Sequence, residues 1–175
     1  MLSFRAVELN DLRLVHEWLQ RPHVRRWWRE HDTYEDVVRS YAPAIDGSDP
    51  TDLYLVLLDG GAIGFIQTYL VADYPEYGSL IGCGEGTAGV DLFIADEALT
   101  GKGIGSEILR RFVSQIVFAP ATTRRCVDGP EAANTASVRA FEKAGFRVVG
   151  DFVEDGNESV LLQFDRATSY DTPIA

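Results

Sequence analysis

A glycine-rich turn that leads directly into an amphipathic helix is the feature that most constrains the fold of this chain. The turn spans residues 100–105 (TGKGIG). The apolar face of the following helix consists of Ile104, Ile108, Leu109, Phe112 and Ile116. Glycines let an anion approach the backbone N–H groups at a helix N-terminus. The run fits neither the P-loop pattern nor the three-glycine dinucleotide fingerprint. It therefore predicts either a pyrophosphate cradle between a strand and a helix, or a turn without a ligand.

Hydrophobic periodicity around this turn predicts an α/β fold with a mixed, twisted sheet flanked by helices. Asn10 is expected to cap a first helix that Pro22 ends, and a second helix is expected over 33–41. Further helices are expected from 104 and from Asn134 to Gly145. A first strand is expected before these helices. Six further strands are predicted over 53–58, 63–71, 88–95, 124–127, 146–149 and 159–164. Residues 59–61 (DGG) predict a hairpin, and 72–86 an acidic, glycine-rich excursion.

Length and charge limit the classes of function. A chain of 175 residues predicts a single domain over 1–175. Its formal net charge of -11 argues against nucleic acid and anionic membranes as partners and favours a cationic one. No apolar run suggests a membrane span or signal peptide, so a cytoplasmic protein is expected. Cys83, Cys126 and the three histidines lack metal-binding spacing, so no metal is expected.

The second half of the chain carries a family resemblance. Residues 100–105, followed by Asn134, Ser137 and the segment 140–146 (AFEKAGF), resemble the paired signatures of the GNAT superfamily of acyl-CoA-dependent N-acyltransferases. The resemblance implies the GNAT fold over the whole chain and acetyl-CoA as co-substrate. It also implies that the first motif holds the pyrophosphate of coenzyme A on backbone amides. Thr100 stands where the family often has Arg or Gln, which removes one common contact.

A closer resemblance extends over the first half. The segments 16–19 (HEWL), 21–24 (RPHV), 27–28 (WW), 63–69 (IGFIQTY) and 89–91 (GVD) are similar to the aminoglycoside 6′-N-acetyltransferases. In that family an aspartate of the G-x-D strand is the usual candidate base and a second aspartate contacts substrate amines. These positions correspond to Asp91 and Asp128. The chemistry independently requires such groups, because an amine attacks a thioester only in its neutral form.

Further contacts follow from the resemblance and from the chemistry of the side chains. For the substrate, an aminoglycoside, the expected residues are Asp128, Trp27, Trp28, Glu85 and Tyr69. For acetyl-CoA they are Phe93, Ile94, Lys102, Gly103, Ile104, Gly105, Ser106, Asn134, Ser137, Phe141 and Lys143. A backbone N–H of the strand near 90–93 is expected to stabilise the oxyanion. Packing alone would also account for the two tryptophans, and simple exposure for the acidic excursion.

One position departs from the family pattern. Phe141 stands where relatives usually have a tyrosine that protonates the leaving thiolate. Three functions are therefore kept. The first is an aminoglycoside 6′-N-acetyltransferase that works by direct transfer in a ternary complex and confers antibiotic resistance. The others are acylation of another small amine or lysine, such as a siderophore precursor, and a non-catalytic coenzyme A sensor. The sequence leaves monomer and homodimer open.

Overall fold

Seven strands form one mixed sheet in the computed structural model, which describes residues 1–29 and 31–167. The strands are β1 (Leu2–Ala6), β2 (Asp52–Leu58), β3 (Gly61–Leu70), β4 (Thr87–Ile94), β5 (Arg125–Asp128), β6 (Arg147–Glu154) and β7 (Asn157–Asp165). Their order across the sheet is β1-β2-β3-β4-β5-β7-β6. The pair β4–β5 is parallel, and the other neighbours are antiparallel. The predicted mixed α/β sheet is thereby confirmed.

Six α-helices flank the sheet in the part of the chain that the structure describes. They are α1 (Leu12–Leu19), α2 (Pro22–Arg25), α3 (Tyr34–Asp46), α4 (Pro75–Ile81), α5 (Ile104–Phe112) and α6 (Thr135–Ala144). A π-helical turn over Val113–Val117 continues α5. Short 3-10 turns cover Leu9–Asp11, Val71–Asp73 and Glu97–Leu99. None of the helices within 1–29 and 31–167 has the length and apolar character that crossing a bilayer requires.

Three local predictions need correction. Asn10 does not cap α1, because it lies inside a 3-10 turn that begins after Glu8, whose N–H donates to Asp11 at 2.8 Å. The helix predicted over 33–41 continues to Asp46, with Thr33 as its N-cap. The excursion 72–86 is partly helical, since α4 forms within it and ends at Gly82 in the left-handed conformation.

The two faces of the sheet are covered by different helices, and alternate residues of each strand serve each face. Leu55, Phe65 and Phe93 pack with α1 and α3 in one buried cluster. Val56, Ile66 and Val90 pack with α5 and α6 in a second cluster on the opposite face. A small third cluster lies beside α4. The predicted site residues Tyr69 of β3 and Asp91 of β4 lie on the α1–α3 face, because each is separated from Phe65 or Phe93 by an even number of positions.

Three cross-strand pairs on that face connect the two strands. Phe65 lies opposite Phe93 with ring centroids 5.4 Å apart. Gln67 lies opposite Asp91 and donates to its carboxylate at 2.8 Å. Tyr69 lies opposite Gly89, where a Cβ would stand 2.3 Å from the tyrosine ring. The glycine of the GVD segment is thus required by the ring that covers it, and the register turns Asp91 toward the open part of this face.

The parallel pairing of β4 with β5 is short. It covers Thr87↔Arg125 to Gly89↔Val127, although β4 runs on to Ile94. Beyond Gly89 the two strands therefore separate, and a cleft opens between the end of β4 and the β5–α6 connection.

Substitution of Gly89 by alanine should destabilise the protein. The added methyl must displace the Tyr69 ring, and overpacking of this kind costs about 1–3 kcal/mol. Gly150→Ala, in β6, is the matched control, since a Cβ there meets nothing within 4 Å. Its free energy of unfolding should stay within about 0.5 kcal/mol of the original. Urea denaturation measures both, and equal stability of the two variants would contradict the packing described for Tyr69.

Candidate active site

Two adjoining cavities lie beside the cleft. The outer cavity has a volume of about 510 Å³. It extends from the segment that follows α2 to the β5–α6 connection. The second, here called the tyrosine recess, has a volume of about 350 Å³ and is walled by Tyr69, Tyr74 and Tyr77. Residues common to both linings are Gln67, Asp91, Asp128, Gly129 and Glu154. The two spaces are therefore parts of one site that meets at the aspartates.

Asp91 and Asp128 form a carboxyl pair where the cavities join. Asp91 is held from β3 by the amide of Gln67 at 2.8 Å. Asp128 is the last residue of β5, and its carboxyl group lies next to that of Asp91 in the lining of both cavities. Burial and the neighbouring Asp91 raise the pKa of Asp128 well above its ordinary value, and Glu154 adds to this rise. The carboxyl of Asp128 is therefore harder to ionise than a solvent-exposed one, and a cation that enters the site favours its ionised form.

Gly129, the residue after Asp128, lies against the side chains of β6 and α4. A Cβ on Gly129 would stand 2.4 Å from the ring of Phe152, and 3.3 Å from the Tyr77 hydroxyl. Gly129 also gives Asp128 a backbone hydrogen bond, which opposes part of the rise in pKa. The glycine after the strand thus allows β6 and α4 to pack closely against the half-buried aspartate.

The tyrosine recess combines aromatic faces with carboxylates. The ring of Tyr69 lies edge-on to Tyr74 at 5.1 Å and to Tyr77 at 6.3 Å. Burial, with the charges of Asp91 and Asp128 nearby, raises the pKa of Tyr69 and of Tyr77, so both hydroxyls stay protonated. Aromatic faces next to carboxylates attract ammonium groups. The recess is therefore suited to a cationic, partly apolar ligand.

The backbone of β4 presents hydrogen-bonding groups to the cleft. Ala95 donates its N–H to Ile63 of β3 at 2.8 Å. In an antiparallel ladder alternate residues face the same partner, so Phe93 and Asp91 also face β3, whereas Leu92 and Ile94 face away from it. In agreement, the Ile94 carbonyl lies 3.0 Å from Nε2 of His23. The N–H of Leu92 is thus directed to the side on which β5 has separated.

The N-terminus of α5 provides a row of backbone donors. The first N–H groups of a helix have no partner within it. Gly103, the N-cap, has a left-handed φ of 85°, and a Cβ there would meet nothing within 4 Å. Lys102 is exposed beside it, Ile104 and Gly105 are half-buried, and Ser106 is buried. The predicted turn therefore forms an open, positively polarised cradle that fits an anionic ligand.

The structure brings most of the predicted substrate residues together. Trp27 and Trp28 line the outer cavity with both aspartates, and Tyr69 lines the recess. Trp28 also packs edge-on to Phe93 at 4.9 Å, so it serves both the core and the cavity wall. Asn134 and Ser137 line the outer cavity too, with Asn134 capping α6 through the N–H of Ser137 at 3.2 Å.

Other predicted residues lie elsewhere. Glu85 is exposed in the turn before β4 and lines neither cavity. The side chain of Phe93 is buried on the α1–α3 face, and its backbone N–H and carbonyl face β3. Phe141 is buried in the α5–α6 cluster, edge-on to Phe146 at 4.9 Å, and lies in neither cavity lining. Lys143 is exposed, and its carbonyl accepts a hydrogen bond from Arg110.

Several residues of the site were missed by sequence reasoning. Gln67 could have been found from the pairing of β3 with β4, because it lies directly opposite Asp91 in that register. Glu154 and Asp155 come from the tip of the β6–β7 hairpin, which Asp155-Gly156 marks as a tight turn. The remaining additions to the two linings are Arg29, Thr51, Tyr74, Tyr77, Leu92, Gly129, Pro130, Glu131, Asn157 and Ser159.

Comparison with known proteins agrees with this geometry. Residues 8–153 match the family model of the acetyltransferase (GNAT) domain. The aminoglycoside N(6′)-acetyltransferase type 1 of Klebsiella pneumoniae is 31% identical, with 92% of this chain and 81% of that protein covered. The lysine N-acyltransferase MbtK of Mycolicibacterium paratuberculosis is 27% identical, covering 95% of this chain and 75% of that protein.

Solved structures give the same result. The crystal structure of the aminoglycoside acetyltransferase AAC(6′)-Ib in complex with coenzyme A superimposes with a TM-score of 0.81. Its sequence is 26% identical, and 95% of each chain is covered. A complex of that enzyme with coenzyme A and kanamycin matches with the same TM-score of 0.81. This chain belongs to the GNAT acetyltransferase family and, within it, to the aminoglycoside N(6′)-acetyltransferases.

Proposed function

We propose that this protein transfers the acetyl group of acetyl-CoA directly to the 6′-amino group of an aminoglycoside, in a ternary complex. The observation that carries the proposal is the carboxyl pair Asp91–Asp128 at the junction of two cavities, beside the separated ends of β4 and β5. Such a pair can accept the proton that an ammonium group must lose before it attacks a thioester. The related enzymes of the same family support the choice of substrate.

The cleft fits acetyl-CoA, which supplies an activated acetyl thioester when bound. The α5 N-terminus offers the N–H groups of Ile104, Gly105 and Ser106 to a pyrophosphate, with exposed Lys102 beside them. The N–H of Leu92 faces the separated side of β4 and is the donor available to a carbonyl oxygen held there. Neither assignment needs a side chain of Phe93 or Phe141.

The carboxylates fit the substrate. Asp91, fixed by Gln67, is our candidate base, and Asp128 is the second carboxyl beside the reacting amine. An incoming ammonium group lowers the pKa of both carboxyls by direct charge interaction. The remaining ammonium groups of a polycation meet Glu131, Glu154 and Asp155 at the rim. Asp91 would then take the proton of the reacting amine, whose nitrogen bonds to the acetyl carbon while the carbon–sulfur bond breaks and coenzyme A leaves as its thiolate.

Lysine acylation is the second candidate, since lysine N-acyltransferases are among the relatives. Free lysine carries a carboxylate of its own, which needs a cationic partner. Among the residues that the structure describes, the outer cavity is lined by one cation, Arg29, and by five carboxyl groups, those of Asp91, Asp128, Glu131, Glu154 and Asp155. This charge distribution favours a substrate with several amines and no carboxylate.

Incubation with acetyl-CoA and kanamycin tests the proposal. We expect release of coenzyme A and a mono-acetylated product, whose NMR spectrum places the acetyl group on the 6′-nitrogen. Lysine serves as the comparison substrate in the same assay. Faster acetylation of lysine, or acetylation of kanamycin at another nitrogen, would contradict the proposed regiochemistry and substrate class.

Gly103→Ala should weaken binding of coenzyme A by about tenfold, because the methyl group intrudes on the backbone cradle. Gly60→Ala is the matched control: Gly60 has the same φ of 85° and also meets nothing within 4 Å, but lies in the β2–β3 turn. Both variants bear the same backbone strain of about 1–2 kcal/mol. Calorimetric titration that finds equal affinity in the two variants would disprove the assignment of the cradle.

Asp91→Asn should lower kcat by roughly a hundredfold or more, because it removes the candidate base. Asp128→Asn should act mainly on the KM of the aminoglycoside, because it removes a carboxyl partner of the substrate ammonium. Steady-state kinetics of both variants checks this contrast. Equal, modest changes in kcat and KM for both would show that the two carboxyls contribute only their charge.

The stability of Asp128→Asn provides an independent readout. A carboxyl whose pKa is raised on folding binds more protons in the folded state, so it destabilises the protein as pH rises above the unfolded value of about 3.9. Each unit of that rise corresponds to about 1.4 kcal/mol. Asp128→Asn should therefore have a higher Tm at pH 7 and lose this advantage near pH 4. The exposed Asp151→Asn is the control and should show no such pH-dependent gain.

A further inference from the structure

An ion pair lies in the lining of the outer cavity. Nη2 of Arg29 lies 2.9 Å from Oε1 and 3.1 Å from Oε2 of Glu131, which are 102 positions apart in the chain. Arg29 follows α2, whereas Glu131 belongs to the connection between β5 and α6. Both residues line the cavity that contains Asp91 and Asp128. The pair thus connects two distant segments of the chain within the lining of the space that a substrate must enter.

The two partners differ in how firmly they are held. Glu131 forms a β-bridge with Ser159, and its carbonyl accepts the N–H of Asn134 at 2.8 Å. On either side of it, Pro130 and Ala132 bond to β7 through their backbones. The side chain of Glu131 is 23% exposed, against 50% for that of Arg29. The carboxylate is therefore a fixed part of the wall, and the guanidinium is the partner that can move.

Arg29 also stands out by its charge. Among the described residues that line this cavity it is the one cation, beside five carboxylates. A half-exposed ion pair contributes only about 0.2–1 kcal/mol, so a substrate ammonium can replace the guanidinium at little cost. The position next to Glu131 is thus already a cation site, occupied by a side chain of the protein itself.

We infer that Glu131 is a further substrate-binding carboxylate and that Arg29 competes with the substrate for it. An ammonium group of the aminoglycoside, other than the one that reacts, displaces the guanidinium and takes its place on Glu131. Arg29 thereby determines specificity: a substrate with several ammonium groups displaces it, and a monoamine bound at the aspartates does not. This inference rests on the proposed function.

Kinetics with kanamycin and acetyl-CoA tests it. Arg29→Gln should lower the KM for kanamycin about two- to fivefold with kcat unchanged within about twofold, the range that a half-exposed ion pair allows. Glu131→Gln should raise that KM by about tenfold, through loss of a charge-assisted hydrogen bond. Arg29→Lys, which keeps the competing cation, should stay near the original KM. The KM for acetyl-CoA should not change in any of these variants.

Arg25→Gln is the matched control. Arg25 is an arginine of the same segment, paired with Asp32 at 2.6 Å, and it does not line the cavity. Its KM for kanamycin should equal that of the unmodified protein. In the Glu131→Gln background, adding Arg29→Gln should lower the KM for kanamycin by a smaller factor than it does in the unmodified protein.

Three results would overturn the inference. They are a raised KM for kanamycin in Arg29→Gln, an unchanged KM in both Arg29→Gln and Glu131→Gln, and an effect on acetyl-CoA instead. Calorimetric binding of kanamycin to the unmodified protein separates this failure from a failure of the proposed function. If kanamycin neither binds nor is acetylated, the proposed function and the inference fall together. If it is acetylated and the variants behave alike, only the inference is wrong.

Discussion

The early end of the β4–β5 pairing is the constraint on which the site depends. After Gly89↔Val127 the strands separate, so β4 keeps its backbone groups toward a cleft while β5 ends at Asp128. The separation of the two strands thus creates the cleft and leaves the N–H of Leu92 unpaired with β5. It also places Asp128 next to Asp91. The Gly89–Tyr69 contact holds the register that makes this possible, because no larger residue fits beneath the ring.

Charge repulsion is the second determinant of the site. Five carboxyl groups among the described residues of one cavity repel each other in the free protein, and Asp91 adds to the effect of burial in raising the pKa of Asp128. A polycation relieves that repulsion when it binds, so the stability lost by the free protein strengthens recognition of its substrate. The formal net charge of -11 extends the same bias to the approach of a cationic substrate.

Sequence patterns predicted what depends on local order. The TGKGIG turn predicted the start of α5, the DGG turn predicted the β2–β3 hairpin, and the order of the elements predicted the mixed sheet. Long-range packing was beyond them. The ring of Phe141, which was expected near the thiol, is enclosed between α5 and α6, and Glu85 is exposed in the turn before β4 and lines neither cavity. Tyr77 and Glu154 enter the site through α4 and the β6–β7 hairpin, whose positions follow from folding of distant segments.

A crystal structure of the ternary complex with coenzyme A and kanamycin tests the central claim most directly. The account predicts the 6′-amino nitrogen within hydrogen-bond distance, about 2.6–3.2 Å, of a carboxyl oxygen of Asp91 or Asp128. It also predicts the pyrophosphate on the N–H groups of Ile104 to Ser106, and the thiol beside Leu92. A 6′-amine bound away from both aspartates, with another carboxylate next to the thiol, would contradict it.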